Sequence, residues 1–146
     1  MLPWLLIACF VLLPMPDRLA AANRCQPVVR DAWIRLTPAG MPMHGGFLRI
    51  DNPCAQSFTI VGASSPLYGR MELHETRLVD GISRMRPLAT VAVPAHGRVE
   101  FKPGGLHWML MQPQAGLRAG EQIPVTLRLA DGGRIATTFE LRAAGR

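Results

Sequence analysis

A chain of 146 residues that is 49% hydrophobic and 18% charged is long enough to bury one core and too apolar to be disordered. Its formal charge of +6 comes from arginines set singly along apolar stretches, with Lys102 as the one lysine. There is no basic run and little aromatic interleaving, which argues against nucleic-acid binding and leaves open a weak attraction to anionic lipid surfaces or to an acidic partner.

Residues 1–22 read as a secretory leader. An apolar run from Leu2 to Met15 is followed by Asp17 and Arg18, then by Ala20, Ala21 and Ala22, an Ala-x-Ala site for cleavage after Ala22. The run is short for a membrane span, and Lys and Arg are missing before it. Arg24 stands before Cys25, where a lipoprotein signal would need a small residue. The expected product is therefore a periplasmic chain, residues 23–146, with no stable membrane insertion. Cleavage removes Cys9 and leaves Cys25 and Cys54, and an oxidising compartment favours their pairing over metal ligation.

From residue 25 onward the sequence reads as short strands separated by turn formers, with no heptads and no repeat. Strands are expected over 28–36, 46–51, 58–63, 70–78, 82–87, 90–93, 98–101, 106–111, 122–129 and 134–141. The separators include "DNPCAQS", "SSPLYG", "VDGI", "PAHG", "KPGG" and "ADGG". This pattern predicts an all-β antiparallel sandwich in one domain. The longest interruption, 37–46, holds Met41, Met43 and His44 between glycines and prolines and is expected as a loop over one end of the sandwich, either an apolar lid or an accessory metal contact.

Chemistry concentrates in two later stretches. In "GGLHWMLM", residues 104–111, side chains at i and i+2 share a strand face, so Leu106, Trp108 and Leu110 point one way while His107, Met109 and Met111 point the other. The first face suits a core; the second offers a two-toothed grip on an ion. In "MELHETRLVDGISRMRP", residues 71–87, Asp80-Gly81 predicts a two-residue hairpin. Pairing Val79 with Ile82 then sets Thr76 opposite Met85 and His74 opposite Pro87, so His74 and Met85 become diagonal neighbours on one face. Two imidazoles and two thioethers form a soft, neutral set that selects Cu(I) over Mg, Ca or Mn, and the lack of a cysteine beside them argues against a blue-copper centre. Such a set should lose affinity for copper as its histidines take up protons in acid. A methionine-filled core gives the competing reading, a secreted β-sandwich that binds a protein or ligand and no metal. No nucleophile–base pair or carboxylate dyad suggests an enzyme.

The blocks "DAWIRLTPAG", "VGASSP", "MELHET", "DGISRMRPL", "VPAHGRVEFKPGGLHWMLM" and "LRAGEQIPVTLRL" resemble the periplasmic copper chaperones of the PCuAC type over nearly the whole chain after the leader. The resemblance implies a cupredoxin-like Greek-key β-sandwich, Cu(I) as cargo, and delivery to cytochrome c oxidase assembly or another copper acceptor, by a protein expected to be monomeric. The family motif, His-x10-Met-x21-His-x-Met, falls on His74, Met85, His107 and Met109. Met43, His44 and Met111 are accessory candidates. The chain departs from the family where some members carry a His- and Met-rich tail, since it finishes "FELRAAGR"; no second site is expected there. Glu72 shares the face of His74 and Glu75 does not; either could tune the site, and surface charge is the role expected of both.

Overall fold

The computed structural model describes residues 24–38 and 41–145; the leader expected at 1–22 lies outside the described residues. Ten strands are present among them: β1 (Val28–Arg35), β2 (Met43–Asp51), β3 (Phe58–Ser64), β4 (Tyr68–Val79), β5 (Ile82–Pro87), β6 (Val91–Val93), β7 (Arg98–Phe101), β8 (Leu106–Pro113), β9 (Gln122–Leu129) and β10 (Arg134–Arg142). Each begins within three residues of its expected start. The described residues contain no helix.

The strands bond in the order β5-β4-β8-β2-β1-β10-β9-β3-β6, and β7 pairs with the second half of β2. Thus β2 changes partner along its length: Met43 to Gly46 lie against β8, Leu48 to Asp51 against β7. The sheet folds over on itself, bringing β3 against β4 and making the two layers of a cupredoxin-like sandwich. One pair departs from the antiparallel expectation. β1 and β10 run parallel, with Trp33 opposite Glu140. A parallel pair needs a long crossover, and here the crossover is the whole intervening domain.

Period-two alternation builds the interior. In β9, Ile123, Val125, Leu127 and Leu129 are buried while Gln122, Pro124 and Arg128 face out. They meet Trp108, Leu110, Met71 and Leu73 from the other layer in one continuous core, closed by Phe139 and by Phe101, whose ring stacks on Trp108 at 5.9 Å. The expected loop over 37–46 is shorter than foreseen, because β2 begins at Met43. Gly45 and Gly46 serve close packing. A Cβ on Gly46 would lie 2.8 Å from Leu110 Cδ1 and 3.2 Å from the Trp108 Cβ, so a side chain there would force both neighbours to shift.

Two polar features brace the interior. Asn52 is buried, donating from Nδ2 to the Gln56 and Pro94 carbonyls at 2.9 Å each and accepting from the Cys54 amide at 2.9 Å. This holds the turn in which Cys54 is bonded to Cys25, the pairing the sequence suggested, with Cα atoms 5.8 Å apart. His44 lies on the interior face of β2, opposite Leu110, with Nδ1 2.8 Å from the Tyr68 hydroxyl. Burial pushes the His44 imidazole below its ordinary pKa and the Tyr68 phenol above its own.

Both features generate measurable expectations. Replacing Cys25 and Cys54 together by serine frees a loop closed across 29 positions and should lower the unfolding free energy by about 3 kcal/mol in a urea titration. His44 is neutral when folded but takes up a proton near its ordinary pKa when unfolded, so its contribution is present above about pH 6.5 and is lost as pH falls below it. The urea midpoint should therefore drop between pH 7.5 and 5, and drop less in His44→Gln; an identical drop in both proteins would show that His44 is not its source.

Candidate metal centre

The site grows from a hairpin. Asp80 and Gly81 both adopt positive φ, 52° and 77°, as a two-residue turn matched to strand twist requires. The register that follows is the expected one: Val79 opposite Ile82, Thr76 opposite Met85, His74 opposite Pro87. The other edge of β4 bonds to β8, with Leu73 opposite Trp108, Glu72 opposite Met109 and His74 directly opposite His107. Both halves of the expected ligand set thus sit on three adjacent strands, and the pleat turns Leu73, Trp108 and Leu110 inward while His74, His107 and Met109 face the other side.

The two imidazole rings are 5.9 Å apart between centroids. Beside them is a cavity of about 320 Å³ whose wall includes Met85, His107, Met109, Met43, Phe47 and Thr76. His74 is not on that wall; its ring stands behind, against His107. His107 is 6% exposed, whereas Met85, on the edge strand, is 55% exposed.

Hydrogen bonding fixes the ring nitrogens. His107 Nδ1 lies 3.0 Å from the Gly105 carbonyl, and His74 Nε2 lies 3.1 Å from a Glu72 carboxylate oxygen. Both partners only accept, so each neutral imidazole donates from that nitrogen and keeps a lone pair on the other. Those others, His74 Nδ1 and His107 Nε2, are buried with no hydrogen-bond partner. A buried polar atom left unpaired costs about 1–3 kcal/mol, and a metal ion would satisfy both. No group of three or more His, Cys, Asp or Glu suited to a metal occurs among the described residues, so donors beyond the two imidazoles would have to be the thioethers. That set fits Cu(I).

Of the two roles open to Glu72, its contacts favour tuning over surface charge. It is held by Arg70 Nε at 2.9 Å and orients His74, as a carboxylate behind a metal-binding histidine would. Its i−2 spacing from His74 was the available signal. Glu75 faces the other side, where hydrogen bonds from Arg77 and Arg86 hold its carboxyl below the usual range. Sequence reasoning also missed Phe47 and Trp33. Phe47 lies 6.4 Å from the His107 ring and 4.7 Å from Trp33, with the Arg35 guanidinium over both aromatic rings.

The accessory candidates separate. Met43 lines the cavity and stands opposite Met111 across the β2–β8 pair. The Met111 sulfur accepts from Arg70 Nη2 at 3.2 Å. The His44 imidazole is bonded to Tyr68 on the core side of β2, and His44 is also among the residues that border the cavity.

Known proteins share this architecture. The "Copper-bound PCuAC domain from PmoF2" superposes with a TM-score of 0.67 at 17% identity, covering 80% of this chain and 92% of that one. The solution structure of apo-DR1885 from Deinococcus radiodurans gives 0.65 at 23% identity over the whole of both chains, and that of CuI-DR1885 gives 0.61 at 25% over 87% of this chain and 86% of the other. In sequence, the chain is 34% identical over 128 residues to "Putative lipoprotein Lxx21020" of Leifsonia xyli subsp. xyli, spanning 87% of this chain and 76% of that protein. The LpqE-like family model matches residues 28–141, and the chain belongs to the LpqE-like family.

Proposed function

We propose that this protein is a copper chaperone that binds one Cu(I) through His74, Met85, His107 and Met109 and carries it outside the cytoplasm to a copper acceptor. The observation that carries the reading is the pair of buried, unpartnered imidazole nitrogens, His74 Nδ1 and His107 Nε2, on the strand face shared with Met109. The likeness to CuI-DR1885 supports copper and its oxidation state. Cytochrome c oxidase assembly, implied by the PCuAC resemblance, is the proposed destination. An exported chain agrees with the leader expected at residues 1–22, with the lipoprotein name of the relative and with the Cys25–Cys54 bond, which suits an oxidising compartment. With its sulfur in that bond, Cys25 has no thiol free to carry a lipid.

The ligands differ in how firmly they are held. His74, His107 and Met109 belong to inner strands with a core behind them, while Met85 belongs to the exposed edge strand β5. Copper release therefore begins at Met85: an incoming donor displaces that thioether first and meets the remaining ligands in turn. The site is a carrier rather than a catalyst, since four neutral protein donors leave a bound Cu(I) no open position for a substrate. Acid opposes loading, because each imidazole must be free of its second proton to bind the ion.

Two measurements bear on the assignment. Titration with Cu(I) under reducing conditions should give one-to-one binding that disappears in the double variant His107→Ala/Met109→Ala while its thermal unfolding stays cooperative. Unchanged binding there would refute the ligand set and return the chain to a metal-free binding module. Glu72→Ala should keep the stoichiometry and lower the Cu(I) affinity by about 10- to 100-fold, read by competition with a chromophoric chelator.

A further inference from the structure

The β4–β5 hairpin carries a second cleft, of about 510 Å³, lined by Arg77, Val79, Arg84, Met85 and Arg86. Three guanidiniums stand there against one carboxylate. Arg77 and Arg86 share Glu75, at 2.8 and 3.0 Å, while Arg84 has no ion-pair partner among the described residues. The hairpin around the cleft also leaves Leu78 and Ile82 78% and 56% exposed, more apolar side chain than a free edge strand ordinarily shows to water. Met85 lines both this cleft and the cavity containing His107 and Met109.

The geometry points to the arginine cleft as the docking site for an acidic segment of the protein that receives the metal. Excess positive charge beside an exposed apolar tip complements a partner surface that presents carboxylates around an apolar contact. The concave form of the cleft suits side-chain carboxylates on a peptide better than a flat lipid surface. Docking there has a consequence for the cargo. Arg84 and Arg86 flank Met85 on the edge strand with their side chains on the opposite face, and Met85 is the ligand with the least protein around it. Occupying the cleft draws on the edge strand that carries Met85, which loosens its hold on the ion and opens a coordination position toward the partner. The docking step stands on the arginines alone; its effect on metal release rests on the copper reading above.

The test uses the full chain and a fluorescein-labelled decapeptide of alternating aspartate and alanine, free of Cys, Met and His, with a lysine–alanine decapeptide as its counterpart. Fluorescence anisotropy at low ionic strength should show binding of the aspartate peptide only. That binding should weaken about tenfold in Arg84→Glu, remain unchanged in Arg134→Glu on β10, and fade in about 0.5 M salt. With the Cu(I)-loaded protein, the aspartate peptide should speed loss of copper to a chelator. Equal binding of the two peptides, or equal binding by the native chain and Arg84→Glu, overturns the docking site. So does capture by phosphatidylglycerol vesicles that Arg84→Glu abolishes while no peptide binds, an outcome that reassigns the cleft to lipid. Peptide binding without faster copper loss overturns the coupling through Met85. Peptide binding by a chain that takes up no Cu(I) leaves the docking site standing and removes the copper reading.

Discussion

The pairing of β4 with β8 is the constraint on which the site depends. It sets Leu73 opposite Trp108 on one face and His74 opposite His107 on the other, so a single register packs the core and brings the imidazoles together. A slip of one residue would turn the histidines inward and Trp108 outward. Register is therefore defended by the core: Trp108 and Leu110 are fully buried, and moving them would cost several kcal/mol of apolar burial. The ligand geometry is protected by residues that never touch the ligand.

That arrangement also explains how the site can hold unsatisfied atoms. Lone pairs on His74 and His107 are an energetic debit in the metal-free chain, and the surrounding bonds keep the rings from turning to relieve it. The Gly105 carbonyl fastens one ring and Glu72 the other, while Phe47, backed by Trp33, walls the cavity beside His107. Exposure increases outward from His107 to Met85, and the gradient runs from core to edge strand.

Much of this was legible in the sequence, for a physical reason: strand alternation and hairpin turns are local. Asp80-Gly81 gave the exact register of β4 and β5, and "LHWML" gave the division between core and ligand faces. What the sequence did not display was adjacency between strands far apart in the chain. Nothing local states that β4 lies beside β8, that β1 runs parallel to β10, or that Gly46 is needed because Leu110 and Trp108 crowd its Cβ position. The bond from His44 to Tyr68 was hidden for the same reason: among glycines His44 read as part of a loop, whereas the strand running through those glycines brings it to Tyr68. Glu72 was visible on the correct face, but the hydrogen bond that gives it a role beyond charge depends on the rotamer of His74.

The parallel pair of β1 and β10 has a bearing on how the protein comes to exist. Those two strands are first and last in sequence, yet they are neighbours at the middle of the bonded order, with β2 and β8 on one side and β9 and β3 on the other. The hydrogen-bonded seam between the layers cannot close until residues near 140 are present, so a chain made from its N-terminal end holds two open sheet edges until β10 is in place. Sheets that depend on such distant contacts form slowly. Until that seam closes, the β4–β8 pair that sets His74 opposite His107 lacks the second layer against which its inner face packs.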